Sequence, residues 1–371
     1  MKILQLGKFY PIRGGVEKVM YDLMIGLSQR DAVQCDMLCA STEDYPASEI
    51  TLNEQAKLFI MPTSLKLAAT MISPAMIVKL KKIAHNYDII HIHHPDPMAT
   101  LALWFSGFKG KVVLHWHSDI LKQKLLLKFY QPLLNWLIKR ADKIIGTTPV
   151  YVRESEFLKN DQLKIDYIPI GISPLSIDYE LANRLKEKYG NRKVLLSIGR
   201  LVEYKGYEYL LNAVAKLPKD ILLLIGGKGP LEEELKKKII DLGISNQVEF
   251  LGYIPDEHLG AYYELSDVFC LSSIQKTEAF AIVQIEAMSN KIPVVSTDIP
   301  GSGVSWVNQH GVSGLVVPIM DADALAEAIN KLFSDDKFYS QLSESAFQHF
   351  QNNFTLNKMI EKTLKIYSEI N

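Results

Sequence analysis

Short apolar runs alternate with stretches of helical period along the chain. Val-, Ile- and Leu-rich runs occupy Lys2–Leu6, Val33–Leu38, Leu58–Ile60, Ile89–His93, Val112–His117, Lys143–Thr147 and Lys164–Ile168. Continuous apolar text of this length suits strands of a parallel sheet covered on both faces. Between them, segments such as Val16–Arg30 and Leu134–Arg140 carry apolar residues at the three- and four-residue spacing of a surface helix. The alternation predicts βαβ units and a doubly wound sheet. The pattern then restarts. Val194–Gly199, Ile221–Ile225, Val248–Leu251, Val268–Leu271 and Pro293–Ser296 read as strands; Tyr207–Lys216, Leu231–Leu242 and Val283–Ser289 read as helices. Pro169, Gly171 and Pro174 break the text between the halves. The expected fold is therefore α/β, with two Rossmann-like domains over 1–170 and 171–354. Ligands of open parallel sheets lie beyond the carboxyl ends of the strands, so residues that follow strands carry the functional interest.

Composition narrows the classes. The 371 residues are 48% hydrophobic, ordinary for a globular protein, which excludes disordered and collagen-like chains. With 41 basic against 42 acidic side chains, a dedicated nucleic-acid coat is not expected. Three cysteines, Cys35, Cys39 and Cys270, are too few for a disulfide scaffold and match no zinc spacing, so a reducing compartment is the simpler reading. The opening Met1–Gly7 reads as a strand rather than a signal peptide, and no run of 18 apolar residues marks a membrane span.

The near-zero net charge hides an asymmetry. Residues 1–165 hold 21 basic and 15 acidic side chains, the remainder 20 and 27. Part of the excess lies in two amphipathic stretches. Ser64–His85 carries Lys66, Lys79, Lys81 and Lys82; Leu121–Arg140 carries Lys122, Lys124, Lys128, Lys139 and Arg140 among Leu125, Leu126, Phe129, Leu133, Trp136 and Leu137. Two readings stand: surface helices with solvated lysines, or a face lying on an anionic leaflet.

Four constellations carry candidate chemistry. In the first, Glu278 stands just ahead of a helix and Glu286 within it, eight residues on. The amides of Phe280, Ala281, Ile282 and Val283 are expected at that helix N-terminus, a place suited to phosphate. Glu286 is placed to accept from two ribose hydroxyls. The second, Gly199-Arg200 through Lys205-Gly206, sets two cations five residues apart on a loop after a strand. A guanidinium fork and an ammonium together suit a diphosphate. The third is Gly14-Gly15, where backbone can approach a ligand closely. The fourth is His117, ending a strand in His115-Trp116-His117. Alternation puts His115 and His117 on one face, and His91 and His93 on one face of the preceding strand with His94 opposite. No carboxylate or cysteine completes a familiar ligand set there, so no metal site is expected. Asp321-Ala322-Asp323 precedes a helical pattern and reads as a cap.

These pieces, with Ile168-Pro169-Ile170-Gly171-Ile172, Gly227-Lys228-Gly229-Pro230 and Phe250-Leu251-Gly252, resemble the retaining GT-B glycosyltransferases of family 4 over nearly the whole chain. The resemblance implies two domains facing across a cleft, with a final helix near 355–371 crossing back to the N-terminal domain. It implies that Arg200 and Lys205 hold the donor diphosphate and Glu286 the ribose. Glu278 and the amides of Phe280 and Ala281 would lie by the donor sugar, Ile254 and Gly227 by the nucleotide, and His117 with Gly14-Gly15 would face the sugar. No cofactor and no metal are implied, and Glu278 is not cast as a nucleophile. The sequence departs from the family at Ala279 and Ala281, where glycines flank the aromatic, and at Lys228, where an acid is usual.

Gly303–Gly311 and His115–Asp119 look most like transferases that assemble O-antigen or capsule units. The implied activity is retaining transfer of a hexose, with GDP-mannose favoured, to a glycan or lipid-linked acceptor. The implied place is cytoplasmic, peripheral at the inner membrane face. The rival readings are a non-catalytic nucleotide-sugar-binding subunit and a GT-B sugar-nucleotide epimerase.

Overall fold

The computed structural model describes residues 1–67, 70–120 and 124–370. The chain divides into two compact units: 1–171 with 356–371, and 172–355.

The first unit holds ten strands among the described residues: β1 (Lys2–Tyr10), β2 (Gln34–Ser41), β3 (Ser48–Asn53), β4 (Ala56–Met61), β5 (Leu65–Leu67), β6 (Thr70–Ile72), β7 (Ile89–His94), β8 (Lys111–Trp116), β9 (Lys143–Gly146) and β10 (Ile165–Tyr167). Eight form one sheet in the order β10-β9-β8-β7-β1-β2-β4-β3, parallel except for the edge strand β3. The core strands are buried on both faces: β7 has no exposed residue, and β8 is accessible only at Lys111. The covering helices are α1 (Gly15–Ser28), α2 (Pro74–Ile83), α3 (Pro97–Ser106), α4 (Lys124–Arg140) and α5 (Pro149–Arg153). Helix α1 buries Val19, Met20, Leu23, Met24 and Leu27, one stripe at helical spacing.

The first unit departs from the sequence reading in two places. Ser64–His85 is not one amphipathic helix: β5 and β6 pair as an antiparallel hairpin, and α2 begins only at Pro74. Ser73 fixes that start, because its hydroxyl accepts the Met76 amide and proline suits the first helical turn. Ala68 and Ala69 of the stretch lie outside the described residues. The second departure is β3, whose half-exposed pattern gives no continuous apolar run to read.

The second unit carries α6 (Tyr179–Tyr189), β11 (Lys193–Ile198), α7 (Tyr207–Val214), β12 (Ile221–Gly226), α8 (Glu232–Asp241), β13 (Val248–Gly252), α9 (Asp256–Leu265), β14 (Val268–Leu271), α10 (Ile282–Ser289), β15 (Val294–Asp298), α11 (Val304–Val307), β16 (Gly314–Pro318), α12 (Ala322–Ser334) and α13 (Asp336–Asn353). Its sheet is wholly parallel, in the order β13-β12-β11-β14-β15-β16. Chain progress reverses between β11 and β14. That reversal leaves a crevice beyond the carboxyl ends of these two strands. Asp321 caps α12 by accepting the Ala324 amide at 2.9 Å, a contact of the kind that contributes about 1 kcal/mol. The last helix, α14 (Leu356–Ile370), belongs to the first unit and buries Met359, Ile360, Thr363, Ile366 and Tyr367 there.

Candidate active site

In the second unit the topology gathers two loops at the reversal point. The loop after β11 carries Gly199 through Gly206, and the loop after β14 carries Ser272 through Ala281. They are stitched together. The Ser272 hydroxyl donates to the Lys205 carbonyl at 2.9 Å, and the Ile274 amide donates to the Tyr204 carbonyl at 2.8 Å. Gly206 is required at this seam: its φ is +62°, and a Cβ would lie 2.2 Å from the Ser272 oxygen. Gly227 is required for a second approach. A Cβ there would lie 1.9 Å from the Gly199 oxygen, so only glycine lets the β12 loop close on the β11 loop.

Lys205 and Glu278 meet across the seam. Nζ lies 2.5 Å from Glu278 Oε2, with the side chains only 10% and 11% exposed. Burial works against the Lys205 charge, but Glu278, helped by Tyr204 and Tyr207, outweighs it and holds the ammonium above its ordinary value. The Glu278 carboxylate also accepts from the Ser273 hydroxyl at 2.9 Å. Its carbonyl accepts from the Ser302 hydroxyl, and Thr297 donates to the Ser273 carbonyl. Ser273, Thr297 and Ser302 hold this seam and are positions that the sequence did not single out. Their only signal is hydroxyl residues just past apolar strands.

The two cations are not equivalent. Lys205 is buried and committed to Glu278; Arg200 is exposed and donates to the Tyr204 hydroxyl at 3.2 Å. Lys228 is exposed, and its carbonyl accepts the Leu201 amide. Ile254 is buried, and its side chain fills the space beside Gly226.

The extent of the helix N-terminus differs from expectation. Helix α10 starts at Ile282, so Ile282 and Val283 supply its leading amides while Phe280 and Ala281 lie ahead of it. Phe280 is instead a buried anchor, edge-on to Phe354 at 6.0 Å, and its carbonyl accepts from Gln284 Nε2 at 3.0 Å. Ala281 is the N-cap and sits at φ +61°. A left-handed alanine costs roughly 1–2 kcal/mol, which the packed loop holds in place. Glu286 lies on the fifth residue of α10 and accepts from the Tyr263 hydroxyl at 2.9 Å. Burial, then that carboxylate, raises the Tyr263 hydroxyl well above its ordinary value.

The remaining candidates lie in the first unit. Gly14 is the N-cap of α1 and Gly15 its first residue, with the Glu17 carboxylate folded back over Gly14. His117 follows β8 and is buried. It belongs to a stack of four imidazoles: centroids are 4.1 Å apart for His115–His117, 5.2 Å for His93–His117 and 4.8 Å for His91–His93. Burial drives all four below the ordinary imidazole range, His115 to about 3. Lys8, also missed in the sequence, is buried in β1 and donates to the Pro95 carbonyl at 2.8 Å. Burial lowers its pKa, with Asp96 and Glu17 opposing. A lysine directly after Gly7, within the opening strand, was the available signal.

His91, His93 and His115 offer nitrogens within 4.8 Å of one another, the spacing of a loose metal triad. Both His93 nitrogens are already hydrogen-bonded, to His117 at 2.9 Å and Gln5 at 2.7 Å. Rings stacked within 16–26° of parallel do not converge their lone pairs on one point.

A buried ion pair at the sheet reversal, beside a helix N-terminus and a carboxylate one turn along it, is chemistry for an anionic ligand bearing hydroxyls. A family model described as glycosyl transferases group 1 matches residues 180–349, and one described as glycosyltransferase family 4 matches 13–174. The O-antigen chain mannosyltransferase C of Escherichia coli is 32% identical over 100% of this chain and 99% of its own length. The chain belongs to glycosyltransferase family 4. The D-rhamnosyltransferase WbpZ of Pseudomonas aeruginosa is 30% identical over 96% of this chain and 92% of its own length. Among solved structures, HepE of Anabaena in complex with UDP matches with a TM-score of 0.78 at 20% identity, covering both chains fully. Sucrose-phosphate synthase of Thermosynechococcus elongatus matches with a TM-score of 0.79 at 20% identity, covering 100% of this chain and 99% of that one. The fold of this glycosyltransferase is GT-B, two Rossmann-like domains.

The basic stretches of this enzyme are only partly free for a surface. Arg140 donates to the Phe108 and Gly110 carbonyls and pairs with Asp142, and Lys79 pairs with Glu49 over the Phe59 ring. Leu121, Lys122 and the side chain of Lys124 lie outside the described residues. What α4 does show is a bare apolar face, with Leu125 75% and Phe129 85% exposed beside an exposed Lys128. Among the described residues no helix is long and apolar enough to cross a membrane.

Proposed function

We propose that the enzyme is a retaining hexosyltransferase that moves a hexose from a nucleoside diphosphate sugar, with GDP-mannose favoured, to a glycan or lipid-linked acceptor in surface-polysaccharide assembly. The reading is supported above all by end-to-end similarity to the O-antigen chain mannosyltransferase. The D-rhamnosyltransferase, alike over 96% of the chain, supports the same class of sugar.

The second unit supplies the means. Breaking the anomeric C–O bond leaves charge on the β-phosphate. Lys205 and Arg200, with the Ile282 and Val283 amides, stabilise it, because fixed donors need no reorganisation as charge develops. Lys205 is held ready by Glu278, and the arriving phosphate takes over part of that carboxylate's role. Glu278 then turns to sugar hydroxyls. With fixed cations and amides on the leaving phosphate no carboxylate nucleophile is required, and retention proceeds by front-face attack with a phosphate oxygen taking the acceptor proton. Glu286 accepts from the ribose hydroxyls. This arrangement needs no metal ion.

The acceptor is proposed to be met at an anionic membrane surface on the cytoplasmic side, with Leu125, Leu126, Phe129 and Lys128 of α4 touching the leaflet. The test is turnover with a panel of GDP-, UDP- and dTDP-sugars on lipid-linked diphosphate acceptors, with product anomers read by NMR. GDP-mannose giving an α-linked product is expected. Inversion at the anomeric carbon, or an EDTA-sensitive reaction, would overturn the mechanism. Turnover with another donor alone would overturn the sugar assignment.

A further inference from the structure

The chemistry proposed above does not use most of the histidine stack, yet its hydrogen bonds form a directed chain. Gln5 on β1 accepts at Oε1 from His93 Nε2, 2.7 Å away. An amide oxygen can only accept, so His93 carries its proton on Nε2. A neutral ring then accepts at Nδ1, and the partner there is His117 Nε2 at 2.9 Å. His117 therefore carries its proton on Nε2. Its Nδ1 keeps a lone pair, and that atom is buried with no hydrogen-bond partner among the described residues.

The Gln5 amide is oriented from its other side. Its Nε2 donates to the Tyr367 hydroxyl at 3.3 Å and points at Cys35 Sγ at 3.6 Å. Tyr367 has one proton to give. Its 2.6 Å contact to His91 Nδ1 is shorter than ordinary N–H···O bonds and fits a hydroxyl donating to a ring lone pair. The tyrosine oxygen is thus an acceptor for the amide. Burial favours neutral rings along the chain, and Lys8 adds to that for His93 and His117.

We propose that Gln5 is a positioning residue: acting through His93, and itself oriented by Tyr367 of α14, it fixes His117 as the Nε2–H tautomer so that Nδ1 is a dedicated acceptor for a substrate hydroxyl. A buried acceptor without a partner is destabilising, and a hydrogen-bond donor such as a sugar hydroxyl relieves it; a carbonyl oxygen or an ionised phosphate oxygen cannot. The assignment of that hydroxyl to the donor sugar rests on the function proposed above. The tautomer does not.

The test separates the two. In protein labelled with 15N on its nine histidines, long-range 1H–15N spectra tell the pyridine-like ring nitrogen from the pyrrole-like one. His117→Asn identifies the His117 signals by their loss. The wild type is expected to show a pyridine-like Nδ1 and a pyrrole-like Nε2 at His117 at neutral pH. In Gln5→Met, which fills the space but offers no amide acceptor, both nitrogens should move toward averaged positions. That variant should also lose about tenfold in kcat/KM for the sugar donor while the Kd of the free nucleoside diphosphate changes less than twofold, as expected for an interaction made with the sugar and not the nucleotide. A protonated Nδ1 at His117 in the wild type overturns the proposal even if the variant does not fold. So does a folded Gln5→Met with an unchanged His117 tautomer. Absence of turnover with every sugar donor would count against the proposed function, and the wild-type spectrum would still decide the relay.

Discussion

Glu278→Gln should show how tightly the two loops at the sheet reversal depend on one ion pair. The substitution keeps the shape and the Ser273 contact but removes the charge 2.5 Å from Lys205 Nζ. Both side chains are about nine-tenths buried, so solvent screening does little for the ammonium left behind. Removing one partner of such a pair costs roughly 3–5 kcal/mol, because the other charge stays buried and uncompensated. For a domain of this size that lowers the melting temperature by roughly 6–20 °C. Lys205→Met should cost a similar amount by stranding the carboxylate. The double variant Lys205→Met/Glu278→Gln leaves no unpaired charge and should regain most of the loss, so the cycle gives a coupling of about 2 kcal/mol or more. Calorimetry on the four proteins supplies the numbers. A second arm adds a nucleoside diphosphate. If phosphate replaces the missing carboxylate at Lys205, the ligand should raise the melting temperature of Glu278→Gln by more than that of the wild type. Single variants within about 0.5 kcal/mol of wild type would refute the reasoning, since a pair that is closed and dry in solution cannot be broken so cheaply.

The histidine stack predicts acid lability. Folded values below the ordinary 6.5 mean that the unfolded chain binds more protons, so stability is full above pH 6.5 and falls as pH drops toward the folded values, about 3 for His115. The slope is about 1.4 kcal/mol per pH unit for each histidine that stays neutral in the fold, and urea unfolding at pH 7, 6 and 5 should show it; equal stability at the three values would rule it out. Ala281→Gly should relieve the left-handed strain and stabilise the enzyme by about 0.5–1 kcal/mol, measurable as a rise in the urea midpoint. Glu286→Ala should weaken binding of a free nucleoside diphosphate by roughly 2 kcal/mol, the scale of charged hydrogen bonds, and calorimetric titration would expose an unchanged Kd.

The sequence alone carried the layered architecture, because short continuous Val, Ile and Leu runs alternating with helix-period segments suit strands covered on both faces, and that text is local. It also marked Arg200, Lys205 and Glu278 as candidates, since charges on loops past apolar strands stand out in the text, and Glu286 by its place in the helix that follows. The short strands Ser48–Asn53, Leu65–Leu67 and Thr70–Ile72 were illegible, because half-exposed edge and hairpin residues need no apolar run. What only the tertiary structure decided is pairing across sequence distance. Lys205 and Glu278 are 73 residues apart, and the strand order that sets β11 beside β14 is what joins them. His117 follows β8, His93 and Gln5 lie on β7 and β1, and Tyr367 lies on the final helix, and no local pattern announces that they are joined by hydrogen bonds. Periodicity records which face of an element is buried; the partner that meets that face is fixed by topology and close packing.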